Sequence, residues 1–223
     1  DNITFTGTTF TNSGTFTAGT NNTVILTNGA DHTITGTGNA GNTKFHNLSL
    51  TGAGGKKLVI DKKISVLGDL TLTGTSTDKL TIEGVSTNSS ITLTSANSAK
   101  GQFLKVRTNI PITGGTYKTL NSFPYALLGD LEIGDGNPEG WIFEGYAGPM
   151  TWKGNYSSNW SDWQNWRPYG TPGVNSDVTI PQKEAAAHYP KLTANVSAKS
   201  VTVNSEAELD LDGQIIKKGT GSN

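Results

Sequence analysis

One phrase recurs along the chain with variations: ITFTG, GTFTAG, NTVILTNG, HTITGTG, HNLSLTGAG, KKLVID, ISVLGDLTLTG, DKLTIEG and SSITLTS. Each alternates an apolar residue with Thr or Ser for about four to six positions and then meets Gly, Asn or Asp, the pattern of a short strand ending in a turn. With Val24, Ile34, Leu48, Leu58, Leu70, Leu80, Ile91, Leu104 and Ile112 as markers, the strands return roughly every ten to thirteen residues. No helical periodicity interrupts them. An antiparallel sandwich or barrel and a parallel β-helix both accommodate such spacing. Hairpins call for frequent two-residue Asn-Gly or Asp-Gly turns, and although Asn28-Gly29 and Asp135-Gly136 occur, most connections are longer and irregular. The β-helix is therefore the expected architecture, with two or three strands per coil of roughly 20 to 30 residues. Leu70, Leu72, Leu80 and Ile82 would point inward and Thr71, Thr73 and Thr81 outward.

Composition narrows the partners. A net charge of −1 gives no overall basic field for nucleic acid or an anionic membrane. The absence of cysteine excludes disulfides and thiolate metal sites. No apolar run approaches the length of a membrane span. The pattern runs up to both ends of the sequence, so the chain is expected to be part of a longer polypeptide. Pro111 and Pro124, which cannot donate to a strand ladder, belong at strand starts, edges or corners.

All five tryptophans lie between Trp141 and Pro181. Trp141, in DGNPEGWIF, reads as the end of the first ladder. Trp152 to Trp166 read as the start of a second, with further strands at Lys199–Val203 and Ala207–Leu211. The division expected is 1–145 for a β-helix and 146–223 for a Trp-rich junction and the start of a second β-helical segment.

The run Phe45-His46-Asn47-Leu48-Ser49-Leu50, followed by Ile64-Ser65-Val66-Leu67-Gly68-Asp69-Leu70-Thr71-Leu72, resembles the F-x-N-L-x-L … I-x-V-x-G-x-L-x-L phrasing of right-handed parallel β-helix repeats in large bacterial surface and secreted proteins. TWKGNYSSNWSDWQNWRPYGTPGVNSDVTIP resembles the W-x-G … W-x-x-x-x-N-W … G-x-P-x-x-x-D-x-V-x-I-P segment that opens repeat units in such proteins of spirochaetes and the Bacteroidetes group. The resemblance implies an adhesive or structural role at the cell surface or outside the cell, with a host glycan or surface protein as partner. The expected fold class is all-β: a right-handed parallel β-helix followed by a smaller β-rich, Trp-containing segment.

The strongest candidate for ligand chemistry is the second Trp phrase. Trp152, Tyr156, Trp160, Trp163, Trp166 and Tyr169 could form a flat platform that stacks on sugar rings, with Asn159, Asp162 and Asn165 reading hydroxyls. The competing expectation is that the indoles fill a small core that covers the following strand DVTIP, with Asn and Asp making local turns. Outward Thr-x-Thr pairs (Thr33/Thr35, Thr71/Thr73, Thr92/Thr94) resemble ice-binding arrays, but the spacing drifts and Lys79 and Glu83 interrupt it. A polysaccharide-active enzyme needs paired carboxylates or a cation with a basic residue beside it, and no catalytic pair can be named. Asp130, Glu132 and Asp135 are the densest acidic group and a weak cation candidate. His32 and His46 read as turn or coil-edge residues, and Lys56, Lys57, Lys62 and Lys63 as a solvated basic group around Asp61. The expectation is a non-enzymatic structural or adhesive module without a cofactor. A carbohydrate-binding module is the first alternative and a β-helix enzyme the second.

Overall fold

The computed structural model describes residues 1–36, 43–94, 101–107, 109–125, 138–182, 186 and 188–219. They form two compact units, Asp1–Ile142 and Phe143–Asn223. The described residues are strands, turns and one 3-10 turn, and no helix among them is long and apolar enough to cross a membrane.

In the first unit three strands make a coil. The coils are β1 (Ile3–Phe5), β2 (Thr9–Asn12) and β3 (Phe16–Thr17); β4 (Thr23–Leu26), β5 (His32–Gly36) and β6 (Thr43–Phe45); and β7 (Asn47–Leu50), β8 (Lys57–Ile60) and β9 (Lys63–Val66). Above them lie β10 (Leu70–Leu72), β11 (Leu80–Gly84) and β12 (Ser90–Leu93), then β13 (Gly101–Gln102), β14 (Leu104–Arg107) and β15 (Ile112–Thr113), then β16 (Tyr117–Leu120) and β17 (Phe123–Tyr125). Like strands stack on like strands in three parallel sheets, ordered β1-β4-β7-β10, β17-β14-β11-β8-β5-β2 and β15-β12-β9-β6-β3. Val24 lies beside Leu48, 24 residues on, and Ile64 beside Ile91, 27 residues on. The architecture is a parallel β-solenoid, within the coil length the spacing predicts.

The alternation of the sequence explains the stacking. Leu70, Leu72, Leu80 and Ile82 are fully buried, while Thr71, Thr73 and Thr81 sit on the outer faces. Their neighbours in adjacent coils (Leu48 and Leu50 below, Leu58 beside Ile82, Val106 above) are equally buried, so one aliphatic core runs up the unit. Burying each such side chain contributes about 1.5–3 kcal/mol, against a backbone ordering cost of about 1–2 kcal/mol per residue. Only repetition of the inward position from coil to coil lets the first term win. Pro111 immediately precedes β15, and Pro124 lies in β17, the last strand of its sheet among the described residues, the kind of edge position where proline is tolerated.

The coil corners carry their own chemistry. Asn47 Oδ1 accepts the Asp69 N–H at 2.7 Å, and Asn2 Oδ1 accepts the Thr23 N–H at 3.1 Å. A Cβ at position 68 would stand 2.4 Å from Asn47 Oδ1, so the glycine of I-S-V-L-G-D-L lets the asparagine of H-N-L-S-L close the corner above it. His46 occupies such a bend. His32 departs from expectation: it opens β5 with its ring buried beside Leu58, where Nε2 lies 2.6 Å from Thr27 O. Imidazole is large and half apolar; the carbonyl meets Nε2, while Nδ1 is buried without a hydrogen-bond partner among the described residues. The outward Thr rows are mixed, since Thr33 neighbours Thr9 and Val59, and Thr92 neighbours Ser65 and Thr113. They form no uniform threonine array.

Trp141 opens β18 (Trp141–Trp152) and is buried, its indole N–H donating to Ile110 O at 2.7 Å and its ring meeting Tyr117 edge-on at 5.4 Å. In the second unit β18 pairs in antiparallel fashion with β19 (Trp166–Arg167) and in parallel with β20 (Thr171–Ile180). β20 is followed by β21 (Val196–Ala198), β22 (Ser200–Val203) and β23 (Ile216–Lys218). β20 pairs in parallel with β22, and β21 with β23. The strand expected at Ala207–Leu211 does not form. That stretch makes only an isolated bridge from Asp210 to Lys191, flanked by left-handed residues Glu206 and Asp212 that turn the chain before and after it, and β23 follows instead.

Candidate functional site

The second Trp phrase is the one stretch whose residue types suggest ligand chemistry, and its geometry follows from β18, β19 and β20. Trp152 ends β18 and Trp166 opens β19 directly opposite it. Met150, Trp152, Trp160, Trp166, Val178, Ile180, Leu192 and Ala198 form one buried cluster. Trp152, Trp160 and Trp166 are each at most 1% exposed. Trp166 is the centre: its ring meets Trp152 at 4.9 Å and Trp160 at 4.7 Å, both nearly perpendicular. Edge-to-face rings lock a core, whereas stacking on a sugar needs an exposed face.

Two of the three indoles are also fixed by hydrogen bonds. The Trp152 N–H donates to His188 O at 2.6 Å, and the Trp166 N–H to Trp160 O at 2.8 Å. Gly154 explains the W-x-G of the phrase: its φ is +59°, and a Cβ there would stand 2.1 Å from His188 O and 2.6 Å from Trp152 Nε1. The glycine leaves room for the bond that anchors Trp152.

Asn165, in the 3-10 turn Trp163–Asn165, is fully buried and ties the loop together. Its Oδ1 accepts the backbone N–H groups of Tyr156 at 2.9 Å and Ser157 at 3.0 Å; its Nδ2 donates to Ser157 Oγ and Asn159 O, both at 3.1 Å. Its own carbonyl accepts the Lys153 N–H at 2.7 Å. Asp162 accepts the Ser157 hydroxyl, and Asn159 Oδ1 accepts the Ser161 N–H at 3.0 Å. The three polar residues proposed as hydroxyl readers thus make the turns of the loop.

What remains at the surface is smaller. Tyr156 is 62% exposed, Trp163 is half-buried and Tyr169 is 9% exposed. Trp163 meets Tyr169 edge-on at 5.5 Å, and the Arg167 guanidinium covers the Tyr169 ring at 3.8 Å. Burial therefore separates the six candidates into three core indoles, Tyr169 buried under Arg167, and Tyr156 and Trp163 nearer solvent.

Two groups of ion pairs lie on this unit. Asp177 lies 2.8 Å from Lys199 Nζ and accepts the Ser200 hydroxyl at 2.6 Å, and these bonds hold its carboxyl below the usual carboxylate range. Lys191 bridges Asp212 at 3.2 Å and Asp210 at 3.4 Å, and those carboxylates push its ammonium pKa up. Among the described residues no three His, Asp or Glu side chains are grouped for a metal, and Asp130, Glu132 and Asp135 lie outside the described residues. In the first unit Asp61 accepts the Thr35 hydroxyl at 2.7 Å.

Asn165 and Gly154 carried a signal in the sequence, the N-W and W-x-G motifs of the quoted segment, but their roles needed the positions of Ser157 and His188. Comparison with protein-family models, curated proteins and solved structures gave no match to this chain.

Proposed function

We propose that this chain is a non-enzymatic structural and adhesive module of a bacterial cell-surface or secreted protein, working outside the cell as part of a longer polypeptide. The observation that carries the reading is the internal use of the aromatic phrase. Its three central indoles and its Asn165 network are spent on fixing a solenoid-like unit, and the repeated coils of the first unit supply a rigid, polar outer surface. A solenoid unit with regularly spaced outward side chains suits display and multivalent contact better than enclosure of a small substrate. The likeness of Phe45–Leu50, Ile64–Leu72 and the Trp phrase to repeats of bacterial surface proteins supports the setting, and a host glycan or surface protein is the partner class. The same fold hosts enzymes as readily as adhesins, so the test is chemical. The intact chain incubated with a panel of polysaccharides is expected to be retained on some of them without releasing reducing ends or unsaturated products. Product release that scales with protein concentration would overturn the reading.

A further inference from the structure

The outer face of the sheet containing β8, β11 and β14 collects cations from successive coils. Lys57, Thr81 and Lys105 are neighbours in register, Val59 neighbours Glu83, and Arg107 on β14 reaches the Glu83 carboxylate. Adjacent coils stand about 4.8 Å apart, so these side chains form a short ladder along the stack. Among the described residues Glu83 is the carboxylate inside it. It lies 3.7 Å from Lys57 Nζ and 3.2 Å from Arg107 Nε, with its side chain 13% exposed. Asp31 borders the ladder beside Lys57, whose backbone N–H it accepts at 2.9 Å. The ion pairs of Glu83 are with Lys57 and Arg107. The Lys79 ammonium reaches over the ring of Phe123 at 5.8 Å, and Phe123 is the neighbour of Lys105. Burial, and after it the charge of Lys105, hold Lys79 below the ordinary lysine range.

We propose that this face binds a linear acidic polysaccharide, with Lys79, Lys105, Lys57 and Arg107 meeting successive carboxylate or sulfate groups and the Thr81 hydroxyl between them. Among the described residues four cations face Glu83 within the ladder and Asp31 at its border, so the described ladder is electropositive on a chain whose net charge is −1. The compact field favours a repeating anion that follows the coils. Single-stranded nucleic acid also needs aromatic faces for its bases, and here Phe123 is half-buried beneath Lys79. The flat strand face offers no element to enter a duplex groove. The proposal rests on the adhesive reading and names its ligand class.

The test measures retention of the intact chain on immobilised heparin and polygalacturonate, with dextran and single-stranded oligo-thymidylate as comparators, at rising salt. The wild-type chain is expected to bind both acidic polysaccharides more tightly than either comparator, with affinity falling as salt rises. The double variant Lys79→Glu/Lys105→Glu should bind at least about tenfold more weakly with an unchanged urea midpoint. Glu83→Gln should bind at least as tightly as wild type, and Lys217→Glu, in the second unit, should bind as wild type does. The proposal is overturned by absence of retention on both acidic polymers, by tighter binding of the oligonucleotide, or by a double variant that binds like wild type or loses no more than Lys217→Glu. Retention that ignores Lys79 and Lys105 would leave the adhesive reading standing, whereas product release would remove that reading whatever the lysines do.

Discussion

Replacing Asn165 by alanine is the most informative single perturbation of the Trp phrase. The amide makes four bonds, accepting from Tyr156 N and Ser157 N and donating to Ser157 Oγ and Asn159 O. Alanine deletes all four. Ser157 keeps its bond to Asp162, so the main losses are the two backbone donors and the Asn159 carbonyl. Each buried group left without a partner costs about 1–3 kcal/mol. Tyr156 is exposed and Ser157 only half-buried, so water reaches part of the gap, and the total falls to about 2–4 kcal/mol. With a urea slope of about 1–3 kcal/mol/M, the midpoint should drop by about 1–2 M. Trp152, Trp160 and Trp166 share the buried cluster beside this loop, so urea titration followed by tryptophan fluorescence reads the loss directly. Asn165→Asp, which keeps the acceptor but loses two donors beside Asp162, should fall between wild type and Asn165→Ala. An Asn165→Ala midpoint equivalent to a loss below about 0.5 kcal/mol would refute the argument. If polysaccharide retention vanished at the same time, Asn165 would be a ligand-reading residue.

Two further outcomes are expected. Gly154→Ala places a methyl against His188 O and the Trp152 N–H at a φ of +59°, so it should destabilise the second unit by about 3 kcal/mol or more and shift Trp emission to longer wavelength; a wild-type spectrum and midpoint would contradict the W-x-G account. Tyr117 donates to Leu70 O at 2.8 Å and accepts from Leu72 N at 3.3 Å, and burial, with the Asp69 charge adding, raises its phenol pKa well above the usual value. A phenol whose pKa is raised on folding contributes stability that is full below about pH 10 and is lost as pH climbs toward the folded value. Tyr117→Phe should therefore be about 1–3 kcal/mol less stable at neutral pH and lose less of its remaining stability above pH 10 than wild type, read from urea midpoints across that range.

The strand ladder was legible because it is a local, repeated pattern. Leu70-Thr71-Leu72 and Leu80-Thr81-Ile82 place alternate residues in and out whatever lies above or below them, and the solenoid follows once hairpin turns are scarce. The competing readings of the Trp phrase could not be separated in the same way, because a buried and an exposed indole have the same sequence. The difference lies in partners far along the chain: His188 for Trp152, and Leu192 and Ala198 within the same cluster. His32 went unread as a core residue for a similar reason, since the space beside Leu58 belongs to the next coil. Ala207–Leu211 alternates like a strand yet makes only the Asp210–Lys191 bridge, so period alone did not guarantee a partner. The cation ladder was hidden because Lys57, Glu83, Lys105 and Arg107 are spread over some fifty residues and meet only through the coil register.

The central claim is that the tryptophans of this chain are structural and that its function lies on the outer faces of the coils. Acrylamide quenching of the intact chain tests it most directly. Trp141, Trp152, Trp160 and Trp166 are each at most 1% exposed, and Trp163 alone is half-buried. The account predicts a blue-shifted emission in which only the Trp163 contribution is readily quenched. It also predicts that added neutral oligosaccharides leave the four protected indoles unchanged. Ready quenching of most of the emission, relieved by a bound sugar, would place the indoles in a stacking platform and contradict the account.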